Sequence, residues 1–82
     1  MRILFYGRLS EAARASERTM ALPAGVCDVA GLRHALGRED EPLAEALAGA
    51  GVRVAVNGTV VVGEMPLLGD EEVAFMSPVS GG

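Results

Sequence analysis

A strand that is apolar on both faces can only be satisfied deep inside a sheet, and this chain carries one at each end. The first is Arg2-Ile3-Leu4-Phe5-Tyr6-Gly7. Side chains alternate along a strand, so Ile3 and Phe5 point one way and Leu4 and Tyr6 the other. The second is Glu71 to Met76, which should send Val73 and Phe75 into the core and Ala74 and Met76 to the opposite face. Strands covered on both faces belong in the middle of a sheet, where parallel pairing is the usual setting. The two ends of the chain are therefore expected as central, parallel neighbours.

The segments between them supply the rest of the architecture. Ser10 is expected to cap a short helix through Glu11-Ala12-Ala13-Arg14-Ala15. Glu17 to Leu22 reads as a second strand, hairpinned with the first and ended by Pro23-Ala24-Gly25. Asp28 is the expected N-cap of the main helix, with Val29, Leu32 and Leu36 at helical spacing and Gly37 as its stop. The run Glu39-Asp40-Glu41 before Pro42 suits the first turn of another helix through Leu43, Ala44 and Leu47, because acidic groups favour the positive end of the helix dipole. That role explains the run without catalytic carboxylates. Val52 to Val56 alternates cleanly, Asn57-Gly58 is a strong hairpin turn signal, and Thr59 to Val62 returns as the partner strand. Gly63 to Leu68, with Pro66, is read as a crossing loop, and Gly69-Asp70 as a turn.

The order is strand, strand, helix, strand, strand, strand, with a helical insertion. It defines an α+β fold, a mixed sheet of about five strands with one main helix packed across it. That is the β-grasp arrangement of ubiquitin-like domains. Its core is expected to comprise Ile3, Phe5, Val29, Leu32, Leu36, Val54, Val56, Val73 and Phe75.

Composition limits function. Eighty-two residues make one domain with one small core, and with only Phe5, Tyr6 and Phe75 aromatic that core is aliphatic. A net charge of −4 argues against nucleic acid or an anionic membrane surface as partner and favours basic protein surfaces. All seven basic residues are arginine. No segment has the length and hydropathy of a membrane span, and Met1 leads straight into a strand instead of a signal peptide, so a cytoplasmic location is expected. The single Cys27 allows no internal disulfide and is expected as a buried small apolar residue. His34 falls on the outer side of the main helix with no second ligand at metal spacing, and no metal site is expected. The glycines fit neither a dinucleotide fingerprint nor a phosphate-binding loop.

The last segment is different in kind. Residues 1–76 read as the globular body and 77–82 as an extended tail, Ser77-Pro78-Val79-Ser80-Gly81-Gly82. Pro78 fixes its own φ and biases Ser77 toward extended backbone. Val79 offers a partner its one apolar grip after Pro78, and Gly81 and Gly82, lacking Cβ, can enter a slot too narrow for other residues. Fully extended, the tail reaches roughly 20 Å. Tyr6, Val60 and Met76 are expected exposed on the sheet face away from the main helix, together forming a docking surface.

Ile3-Leu4-Phe5-Tyr6, Val54-Ala55-Val56-Asn57, Pro66-Leu67, and Glu72-Val73-Ala74-Phe75 through Pro78-Val79-Ser80-Gly81-Gly82 resemble the small, sulfur-carrying subunit of molybdopterin synthase. The likeness runs the length of the chain and is densest from Val54 onward. It departs at Ser77, where that family usually has proline, and at Gly69-Asp70-Glu71, where it usually has Asp-Gly-Asp. The resemblance implies a protein that is no enzyme by itself but the sulfur-donor subunit of a two-subunit sulfurtransferase in molybdenum cofactor biosynthesis. It implies that Gly82 carries the reacting carboxylate, Gly81 gives clearance, and Pro78 and Val79 are gripped by the partner. An adenylating partner enzyme of the E1 type would use ATP to make an acyl-adenylate, and a sulfur donor would convert it to a thiocarboxylate. The tail would then deliver sulfur to cyclic pyranopterin phosphate in the large subunit, in a heterotetramer of two small and two large subunits. No cofactor bound to the chain itself is implied. Three alternatives share the fold: a sulfur carrier for thiamin synthesis, a ubiquitin-like protein modifier, and a β-grasp interaction module with an inert tail. Without lysine, a modifier of this sequence cannot build lysine-linked chains on itself.

Overall fold

In a computed structural model of the chain, which describes residues 1–38 and 40–77, eight elements follow one another. They are β1 (Arg2–Tyr6), α1 (Arg8–Ala13), β2 (Glu17–Thr19), α2 (Val29–Gly37), α3 (Glu41–Leu47), β3 (Arg53–Val56), β4 (Thr59–Val61) and β5 (Glu72–Met76). The five strands form one sheet in the order β2-β1-β5-β3-β4. β1 and β5 are the expected parallel central neighbours, in register from Arg2↔Glu72 to Tyr6↔Met76, and the other pairings are antiparallel. The expected mixed sheet with helices is therefore present. No helix among the described residues is long and apolar enough to cross a membrane.

Local chemistry sets most boundaries. Asp28 caps α2 by accepting from the Gly31 amide at 2.8 Å, as its position before Val29 predicts. Asp40 does the same for α3, accepting from the Leu43 amide at 3.1 Å, with Pro42 in the first turn. The acidic run thus contains a cap as well as solvated charge; Glu39 lies outside the described residues. Asn57 and Gly58 both take positive φ, 50° and 84°, in the two-residue turn between β3 and β4. Gly37 is the last residue of α2 and also its contact with α3: a Cβ there would stand 2.8 Å from that of Ala44.

Besides strand ends that move by one residue, two boundaries and one burial differ from expectation. The first helix begins at Arg8, so Ser10 lies inside it and its hydroxyl donates to the Gly7 carbonyl at 2.7 Å without capping the helix end. Gly7, at φ 60° and ψ −134°, turns the chain immediately after β1 and brings the helix forward. β2 stops at Thr19 because β1 starts at Arg2; one further bond, Met20 amide to Met1 carbonyl, uses up the partner backbone. Cys27 is exposed, not buried. Val26 and Val29 take the inward positions around it, while Cys27 offers its carbonyl to the Leu67 amide at 2.9 Å.

All nine expected core residues are buried, joined by Leu9, Ala13, Leu43, Leu47 and Leu67 from the short helices and the loop before β5. At the centre the Phe5 and Phe75 rings stack at 6.2 Å between the parallel strands, 17° from coplanar. Arg18 and Arg33 lie over their faces, 5.7 and 6.0 Å from the ring centres. Truncating Phe75 to Ala should cost about 3–5 kcal/mol, measured by urea unfolding. A loss under about 1 kcal/mol would mean that this pair is not the centre of the core.

Candidate functional site

Two features converge at the C-terminal end of β5: an open sheet face and the root of the tail. Helices cover one side of the sheet. On the other, the register aligns side chains from neighbouring strands in rows. One row runs Glu17, Leu4, Ala74, Ala55, Val60, and the next, nearer the tail, runs Tyr6, Met76, Arg53. Beyond Leu4 toward the start of β5, Arg2 closes the face with ion pairs to Glu17 at 3.1 Å and Glu72 at 2.8 Å. These two carboxylates raise the Arg2 pKa, Glu17 most through its hydrogen bond.

Tyr6 and Val60 are 52 % and 50 % exposed on this face, as expected. Met76 is on the same face but only half-buried, not freely exposed, because it sits in the central strand flanked by Tyr6 and Arg53. Ala74 and Ala55 are nearly covered, 9 % and 8 % exposed, although neither belongs to the core cluster. Their methyl groups make a low floor between the larger Leu4 and Val60. Pro78, Val79, Gly81 and Gly82 lie outside the described residues, so the structure places the root of the tail and not its end.

That root is held. Ser77 Oγ accepts from the Arg8 amide at 3.2 Å and lies 3.4 Å from the Tyr6 carbonyl, to which it donates. Gly7 sits beneath it, and a Cβ on Gly7 would overlap the Ser77 hydroxyl. The turn between β1 and α1 is thus shaped around the first residue after β5. The sequence gives no sign of it, because Ser77 and its partners are about seventy positions apart.

The opposite end of β5 is fixed by side chains as well. Asn57 accepts from the Glu72 amide at 3.0 Å through Oδ1, and its own amide donates to the Glu72 carbonyl at 2.8 Å. Glu71, 8 % exposed, accepts from the Leu68 and Gly69 amides at 2.7 and 2.8 Å. Those bonds to the charged form hold its pKa below the ordinary value. The turn Gly69-Asp70-Glu71, where the resemblance to the sulfur-carrying subunits breaks, is therefore built on the Glu71 carboxylate.

The sheet order, the parallel central pair and the crossing α2 define a ubiquitin-like β-grasp domain. The ThiS family profile matches residues 3–82, and the chain belongs to that family. Among solved structures it is similar to the small archaeal modifier protein 1 of H. volcanii, with a TM-score of 0.80 and 20% identity over 96% of this chain and 97% of that one. It is also similar to a putative molybdopterin converting factor, subunit 1, from Pyrococcus furiosus, with a TM-score of 0.75 and 26% identity over 95% of each chain. Comparison with curated proteins finds no match.

Two measurements check this geometry. Replacing Ser77 with Ala removes the acceptor of the Arg8 amide, so hydrogen exchange at Arg8 should rise while global stability changes by no more than about 1 kcal/mol; unchanged exchange would show that Ser77 does not hold the turn. Glu71 gives a pH signature. Its folded pKa is depressed, so its contribution is full above the ordinary value of 4.5 and is lost as pH falls below that toward the folded value. Glu71→Gln should flatten the acid limb of stability against pH. An unchanged limb would contradict the bonds to Leu68 and Gly69.

Proposed function

We propose that the chain is the sulfur-carrier subunit of molybdopterin synthase. Family membership supports a carrier of this class, and likeness to the Pyrococcus furiosus protein favours the molybdopterin branch. The observation that carries the reading is the coupling of tail and face. Ser77 is fixed at the β1–α1 turn, and the half-exposed Tyr6 and partly exposed Met76 lie directly beside it. A partner that docks on this face receives the tail in a set direction.

In this reading residues 1–76 are the body and 77–82 the delivering arm. The Gly82 carboxylate attacks ATP held by an adenylating partner enzyme, and pyrophosphate leaves. A sulfide-level donor then attacks the acyl carbon and AMP leaves, giving a thiocarboxylate. Its sulfur is softer and more nucleophilic than oxygen and can bond to a carbon of cyclic pyranopterin phosphate in the large subunit; water then cleaves the acyl–sulfur bond, leaving the sulfur on the pterin and returning the Gly82 carboxylate. The carrier supplies no general acid or base and needs no bound cofactor of its own. Pro78 and Val79 are held by the partner, and Gly81 lets the acyl carbon enter a narrow slot. Within a heterotetramer of two small and two large subunits, each small subunit docks on a large subunit through its Tyr6, Val60 and Met76 face.

The chemistry happens at one carbon, so the reading requires a free carboxylate at Gly82. Molybdopterin formation from cyclic pyranopterin phosphate, with thiocarboxylated carrier and large subunit as the only sulfur source, tests it. Adding one residue after Gly82 should abolish product, with the fold intact. Gly81→Ala, which restricts φ/ψ and adds a methyl group in the slot, should slow it on the order of a hundredfold. Full product from the extended chain would refute the role of Gly82.

A further inference from the structure

We propose that Arg53 is the docking cation of the open face and meets a carboxylate on the large subunit that receives the tail. The inference rests on the carrier reading above and names what that face recognises. Arg53 opens β3, is exposed, and alternates with the buried Val54, so its side chain stands on the open face directly beside Met76. The open face also bears Arg2, but Arg2 is already neutralised by Glu17 and Glu72. Arg53 has no carboxylate within ion-pair distance among the described residues. Among the described residues the face therefore has a satisfied charge cluster at one end, an apolar middle, and a guanidinium without an ion-pair partner at the end beside Ser77.

Docking makes that cation consequential. Ser77 follows Met76, so a partner that swallows the tail from its root must cover the row Tyr6, Met76, Arg53. A guanidinium taken out of water without a counter-charge is expensive, and a planar fork matches a carboxylate with two parallel hydrogen bonds. Beside it, the Ala55 and Ala74 floor between Leu4 and Val60 leaves room for one apolar side chain of the partner. The recognised surface is thus an apolar knob with an acidic residue next to it. This is opposite to what the net charge of −4 alone selects. The overall charge would draw the chain to a basic surface, and Arg53 would set its orientation there.

Titration calorimetry of the full chain with the synthase large subunit tests this, using Arg53→Gln, Arg53→Glu, Arg53→Lys and Val60→Asp, each checked by thermal unfolding. Arg53→Gln should raise the Kd on the order of tenfold or more and Arg53→Glu further, while Arg53→Lys keeps part of the affinity. The loss should shrink as salt is raised. If Val60→Asp abolishes binding while every Arg53 variant binds like the wild type, the carboxylate is absent and the docking face stands. If Val60→Asp also binds normally, the large subunit does not use this face and the carrier reading loses its docking surface. If the Arg53 variants, titrated in parallel into the adenylating enzyme, lose affinity there and not for the large subunit, the assignment to the large subunit is overturned.

Discussion

The parallel pairing of β1 with β5 is the contact on which the rest depends. It joins residues about seventy positions apart, so no local turn can form it, and it is held by burial on both sides of the strands. On the helical side Ile3, Phe5, Val73 and Phe75 are shielded from water beneath α2. On the open side the same register sets Leu4 beside Ala74 and Tyr6 beside Met76. A slip of one residue by either strand would turn its two sets over, exposing its phenylalanine and burying its outer-face residues. Core stability and the composition of the open face are therefore one constraint.

That constraint also explains where the C-terminal segment starts. β5 ends at Met76 beside the end of β1, so the next residue, Ser77, meets the turn at Gly7 and the first amide of α1. Gly7 leaves room for the hydroxyl, and the hydroxyl in turn ties the chain to the body. A proline at this position, usual in the sulfur-carrying subunits that the chain resembles, stiffens a tail through its own backbone. Here a hydrogen bond to the neighbouring turn fixes the root. Both devices constrain the backbone at the same position.

Much of the architecture was legible in the sequence because it rests on periodicity and on short-range chemistry. Two strands apolar on both faces demanded a central position, Asp28 and Gly37 bracketed α2, and Asn57-Gly58 declared its hairpin. What escaped lies in contacts between distant residues. Ser10 looks like a cap until Gly7 turns the chain early. Cys27 looks like core until Val26 and Val29 take the inward places. Leu43 and Leu47 lie in the helix that the sequence predicts after Pro42, but only the tertiary fold puts them in the core. Arg53 was within reach, since alternation from Val54 sends it outward; that no carboxylate among the described residues pairs with it appears only in the structure, where Glu17 and Glu72 lie at the far end of the face with Arg2.

The central claim is that this body exists to present one activatable carboxylate. Intact-mass spectrometry after incubation with the adenylating enzyme, ATP and a sulfur donor tests it most directly. The account predicts that the chain gains the mass of a single oxygen-to-sulfur exchange, that the exchange maps to the peptide ending in Gly81-Gly82, and that omitting ATP prevents it. An unchanged mass, under conditions in which the same enzyme and donor convert an authentic carrier, would contradict the account.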